Sequence, residues 1–129
     1  NRIKFFFFVF FLGFFSDIII FMFLRSKKHL IYIRELPCII SGYTPCDPAH
    51  LSFGIGGMGL KSPDTFVVPL KHELHQLQHE MGEISFWKKF DVNPFVYAYK
   101  ICKDSPCKRV RENYKKIFKL MSKRNYLIK

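Results

Sequence analysis

The stretch Thr65-Phe66-Val67-Val68-Pro69-Leu70-Lys71-His72-Glu73-Leu74-His75-Gln76-Leu77-Gln78-His79-Glu80-Met81 changes its period halfway along. Up to Leu70 it is β-branched and aromatic, and Pro69 closes the run, which predicts a short strand. From Lys71 onward Leu74, Leu77 and Met81 recur at helical spacing on one face, which predicts a helix. His75 and His79, four residues apart, then project from the same helix face, about 6 Å from each other. His72 lies one turn earlier on nearly the same face.

Upstream, Phe53 to Asp64 is glycine-rich and reads as a loop. Before it, Cys38 to Leu51 is punctuated by Gly42, Pro45 and Pro48 into short extended pieces with a turn, in the manner of a hairpin. This piece delivers a third imidazole, His50, at its end. The expected order is therefore strand, loop, strand, helix. His29 to Leu36 reads as a short helix or extended approach, ended by Pro37.

Downstream, Glu83, Phe86 and Trp87 belong to a following amphipathic helix whose aromatic pair faces the core. Asp91 to Pro94 reads as a helix break and a new cap, and Pro94 to Ile101 as a further short helix. From Cys107 to Lys129, Val110, Tyr114, Ile117, Phe118 and Met121 stand at helix-like intervals between Lys and Arg, the pattern of an amphipathic basic helix. Its polar face suits phosphates, an acidic bilayer surface, or plain solvent.

Several chemistries fall away on spacing. Gly54, Gly56 and Gly59 spell GxGxxG, but no long parallel strand precedes them and no helix opens there, so a dinucleotide fold is excluded. His72-Glu73 begins an HExxH motif, yet position 76 is Gln, which excludes the zinc-protease helix. Cys38, Cys46, Cys102 and Cys107 form no CxxC pair, so neither a zinc knuckle nor a thioredoxin motif is present. They read as reduced thiols, or alternatively as four ligands of one shared structural zinc.

With 129 residues there is room for one small domain, and a core of that size gains from a bound metal or extra helices. The formal net charge is +11, and Lys100 to Lys129 holds eleven Lys or Arg against only Asp104 and Glu112. Such a field points to a polyanion, nucleic acid or an anionic membrane. From Phe5 to Leu24 the chain is almost wholly apolar, with ten phenylalanines interrupted by Gly13, Ser16 and Asp17. Twenty apolar residues can span a bilayer, although Asp17 opposes insertion and basic residues flank both ends. The leader reads as a membrane segment through residues 5–24 or as a dispensable extension. The resulting organisation is a leader over 1–28, a central domain over 29–101, and a basic helix or tail over 102–129. A cytoplasmic location is expected, with membrane anchoring through the leader as the alternative.

Residues 38 to 87 resemble the HNH endonuclease superfamily, in particular a branch common in phages and prophages and related to the Ref-type recombination nucleases. The resemblance rests on Leu36-Pro37-Cys38, Ser41-Gly42, Cys46-Asp47-Pro48-Ala49-His50, Gly57 to Lys61 with Asp64, Val68-Pro69-Leu70, His75, Gln78-His79, Gly82-Glu83 and Phe86-Trp87. It implies an α+β fold with a small ββα-metal core and flanking helices, here preceded by an apolar N-terminal helix read from the leader. It also implies one divalent metal ion, Mg²⁺, Mn²⁺ or Zn²⁺, held by His75 and His79, with His50 as general base. The implied partner is nucleic acid, DNA ahead of RNA.

The sequence departs from that pattern in three places. Ala49 stands where many relatives carry a metal-binding Asp or His, and Asp47, two residues back on the same strand face, is the candidate replacement ligand. Relatives with a structural zinc use two CxxC-like pairs, whereas here Ser41, Lys71 and Leu74 interrupt both, leaving Cys38 and Cys46 as the candidate thiolates for a structural zinc. The middle asparagine of the motif is not evident. His72 and Lys71 are candidate phosphate or metal contacts, and Lys108, Arg109, Arg111, Lys115, Lys116 and Lys119 are candidate contacts to the nucleic-acid backbone. The alternative readings are a catalytically inactive nucleic-acid-binding remnant and a small membrane-anchored basic protein.

Overall fold

The computed structural model describes residues 23–52 and 62–122, with the side chains of 120–122 excepted. Most of the apolar leader and nearly all of the glycine-rich loop lie outside the described residues. Within them the fold is α+β, with the elements α1 (Lys27–Glu35), β1 (Asp47–His50), β2 (Val67–Leu70), α2 (His72–Met81), α3 (Glu83–Phe90), α4 (Pro94–Lys103) and α5 (Lys108–Ser122). The described strands form one two-stranded antiparallel sheet. The two expected strands and the helix are present in the expected order, and the loop expected between the strands lies mostly outside the described residues. The expected hairpin within residues 38–51 is not present: only Asp47–His50 is a strand, because Cys38 to Cys46 folds into tight turns, with Gly42 N–H bonding Cys38 O and Cys38 N–H bonding Tyr43 O.

The register pairs Asp47 with Leu70, Pro48 with Pro69, Ala49 with Val68 and His50 with Val67. Two prolines face each other, which removes both N–H donors from one rung. Alternation of the ladder explains why this is harmless. Leu51 N–H bonds Phe66 O at 2.8 Å, so the pair 51/66 is a bonded one, and the pair 48/69, three rungs on, is a non-bonded one that needs no donor.

All four residues of β2 are buried, as expected for a strand covered on both faces. Helix α1 packs on both strands, α4 packs on β2 and pairs with α5, and α2 packs on β1 and α3. Phe66 is the centre of the core: it is fully buried and meets Phe95 and Phe118 edge-to-face, with ring centroids 5.6 and 4.7 Å away. Phe86 and Trp87 are buried as expected.

The α3–α4 junction follows the sequence reading. Asp91 takes the left-handed conformation after α3, the Asn93 side chain accepts from Phe95 N–H, and Pro94 occupies the first turn of α4. Between α2 and α3, Gly82 has φ +86, which a residue with a Cβ rarely adopts.

The expected boundaries shift. Leu24 and Ser26 are buried, and Ser26 caps α1 by accepting from His29 N–H, so residues 24–28 belong to the fold. At the other end, Val110, Tyr114, Ile117 and Phe118 of α5 join the same core. The basic helix is thus part of the domain rather than an appended tail. No helix among the described residues is long and apolar enough to cross a membrane.

Helix α1 also buries His29 completely, with Nδ1 2.7 Å from Ser105 Oγ in the turn before α5. Burial drives its pKa from 6.5 down to about 4, against a smaller opposing pull from Asp64. Between those two values the unfolded chain takes up a proton that the folded chain refuses, so folding stability falls as pH drops from 6.5 to about 4. The loss should be roughly 3 kcal/mol. Urea midpoints measured across that range should show the decline in the parent chain and a flatter profile in His29→Phe.

Candidate functional site

The first turn of α2 emerges directly from β2, and Asp47 opens the partner strand opposite Leu70. This geometry sets Asp47 against the histidine face of α2. Its Oδ2 lies 2.7 Å from His72 Nδ1 and 3.2 Å from His75 Nδ1. The hydrogen bond from His72 contributes most to holding the Asp47 carboxyl below its ordinary value; partial burial opposes that and the bond from His75 adds to it. The same bond raises the pKa of the exposed His72.

One turn on, His75 Nε2 and His79 Nε2 stand 3.1 Å apart, with the rings tilted at 45° and their centroids 4.7 Å apart. Two nitrogens at that separation, each about 2.0–2.1 Å from a shared cation, would subtend roughly 100° at it, between tetrahedral and octahedral demands. That separation suits two nitrogens sharing a divalent cation and equally a hydrogen bond from one Nε2–H to the other ring. Asp47 reaches the pair from the Nδ1 edge of His75, behind the ring rather than beside Nε2. Ala49 is fully buried opposite Val68 and brings no donor. Among the described residues, no group of three or more His, Cys, Asp or Glu side chains is arranged so that it could hold a metal ion.

His50 is handled separately. Its Nε2 lies 2.8 Å from Asp64 Oδ1, while Asp64 Oδ2 accepts from Ser26 N–H at 2.8 Å. Asp64 is buried, which opposes its charge, but the His50 bond, the Ser26 amide and the charges of His50 and Arg25 outweigh burial and hold its pKa down. An ionised carboxylate only accepts, so His50 carries its proton on Nε2 and presents Nδ1 as the basic nitrogen. Among the described residues no hydrogen bond links His50 with His75 or His79. Strand alternation turns residues 47 and 50 to opposite faces of β1. The structure thus gathers Asp47, His72, His75 and His79 into one cluster and gives His50 its own partner.

Asp64 was legible in the sequence only as a member of the motif, not as the partner of His50, because 14 residues separate them and no periodic element connects the two. A second such link is Glu83: its carboxylate accepts from Ser52 N–H and from Ser52 Oγ at 2.6 Å, fastening the end of β1 to the start of α3. With Gly82, Ile84 and Ser85 these residues line an open cavity of about 320 Å³.

The remaining candidates are distributed elsewhere. The Lys71 ammonium sits 4.6 Å above the Tyr43 ring and 3.9 Å from Glu73. Cys38 and Cys46 are both buried and reduced, and Cys46 donates to Tyr43 O. Burial pushes the Cys46 thiol up to about 11, helped by Cys38. Burial also opposes a charge on Cys38, yet bonds from Ser41 and from the amides of Ser41, Lys71 and Ile40 leave its pKa lowered. Of the basic residues on α5, Arg109 and Arg111 donate to Arg25 O and Ser105 O and tie the helix to the domain, while Lys108 pairs with Glu112 at 3.7 Å. Lys115, Lys116 and Lys119 are exposed.

The fold and site together define an α+β domain with a strand-end histidine held by a buried carboxylate and a helical histidine pair. The model of the family described as "Protein of unknown function (DUF968)" matches residues 21–102, which contain every one of these groups, and the chain belongs to that family. The Escherichia coli (strain K12) protein named "Uncharacterized protein YdfU" is 38% identical over 55 residues, covering 42% of this chain and 16% of that relative. The chain thus spans well under two thirds of that relative's length. No solved structure matches.

Replacing Asp64 by Asn puts an amide donor against Ser26 N–H or His50 Nε2–H. The variant should lose about 1.5–3 kcal/mol of stability, the range for hydrogen bonds to a charged group, read from the shift in urea midpoint.

Proposed function

We propose that the chain is a metal-dependent endonuclease with a ββα-metal core, hydrolysing phosphodiester bonds of nucleic acid, DNA ahead of RNA. The observation that carries this reading is the 3.1 Å approach of His75 Nε2 and His79 Nε2 on the helix after β2, combined with a strand-end His50 whose tautomer is fixed by Asp64. A divalent cation held by the pair would neutralise charge on the phosphate and the leaving oxygen.

The chain's own residues do the rest. His50 Nδ1 takes a proton from water as the new P–O bond forms and the bond to the leaving oxygen breaks. Asp64 stays ionised and stabilises the imidazolium that results. The exposed lysines of α5 bind backbone phosphates without reading sequence, in keeping with the +11 charge.

The second reading is a binding protein without turnover. It is favoured by the buried Ala49 methyl at the position where the resemblance to HNH endonucleases leads one to expect a metal ligand, and by the lack, among the described residues, of a hydrogen bond between His50 and the pair. Supercoiled plasmid incubated with the whole chain and Mg²⁺, Mn²⁺ or Zn²⁺ separates the two. Nicking should appear with at least one metal and fall by about a hundred- to ten-thousand-fold in His50→Ala. Salt-sensitive DNA binding with no nicking under any metal establishes the second reading instead.

A further inference from the structure

Asp47 Oδ2 is shared by two imidazoles, His72 Nδ1 at 2.7 Å and His75 Nδ1 at 3.2 Å. A carboxylate has no proton to give, so both Nδ1 atoms are donors. For His75 this leaves Nε2 as the lone-pair nitrogen, and that atom is the one facing His79 Nε2 at 3.1 Å. An imidazole left to itself does not favour this tautomer. Oriented otherwise, His75 would present an N–H where the pair needs a lone pair.

We infer that Asp47 is a positioning residue rather than a metal ligand: through His75 it fixes the tautomer and ring angle that make His75 and His79 a chelating pair, while His72 holds the carboxylate in place from the other side. The chain of contacts runs His72, Asp47, His75, His79 along one face of α2 and is pinned to β1 at Asp47. A carboxylate behind a ligating imidazole raises its basicity and strengthens its hold on a metal, commonly by ten- to a hundred-fold. This inference rests on the metal-binding reading above for its consequence, but the tautomer itself does not.

The test uses the whole chain in two measurements. In metal-free protein at about pH 8, above the ordinary imidazole value, ¹⁵N shifts of the ring nitrogens should place the His75 proton on Nδ1, and Asp47→Ala should move it toward Nε2. Titration with Co²⁺, followed by its visible absorption, should show binding that His79→Ala abolishes. Asp47→Ala should weaken it about ten- to a hundred-fold, and Asp47→Asn, whose oxygen still accepts, should weaken it less. Thermal unfolding of each variant separates a lost fold from lost positioning.

A His75 proton on Nε2 in the parent chain overturns the inference, as does undiminished Co²⁺ binding by folded Asp47→Ala. If the parent chain takes up no Co²⁺ at all, the metal reading of the preceding section falls, and the ring-nitrogen result alone decides the tautomer.

Discussion

One buried, ionised carboxylate holds the domain's parts in relation to one another. Asp64 binds His50 through Oδ1 and the Ser26 amide through Oδ2, while its own N–H bonds Leu24 O. It therefore joins the cap of α1, the tip of β1 and the approach to β2 at a single point. A buried charge is tolerated only when its lone pairs are taken up, and here each oxygen has a donor. Neutralising it would loosen all three segments at once, and His50 would lose its fixed orientation along with them.

Asp47 is the counterpart at the other end of the same strand. It is partly exposed, has imidazoles rather than amides for partners, and organises the face of α2 instead of the frame of the domain. Two residues of β1, Pro48 and Ala49, thus separate two carboxylate–histidine systems of different character. The Asp64 system is built into the fold and the Asp47 system lies at its surface, open to solvent.

The sequence made the strand-to-helix transition at Lys71 legible because the two periods differ so sharply there. The Asn93–Pro94 cap was equally plain because its chemistry is local. The apolar spacing of α5 correctly marked Val110, Tyr114, Ile117 and Phe118, but spacing does not reveal whether an amphipathic helix docks on its own domain, which this one does. Cys38 to Cys46 misled because proline and glycine mark a turn without saying whether strands flank it. Asp47 and Asp64 were visible as residues, but their partners lie 25 to 28 and 14 positions away. Contacts of that range are set by tertiary packing and leave no periodic trace. For the same reason the bonds from Arg109 and Arg111 to backbone carbonyls of their own chain were not legible in the sequence.

The facing prolines of β1 and β2 act as a key against mispairing. A two-stranded sheet with four residues on each side has little to hold its alignment, and sliding by one residue requires one strand to turn over. Whichever strand turned, its proline ring nitrogen would point at the partner, where the ladder needs a hydrogen to donate, and about 1 kcal/mol would be forfeited at that rung. The alignment that keeps Asp47 beside α2 and His50 beside Asp64 is thus protected by atoms that make no hydrogen bond at all.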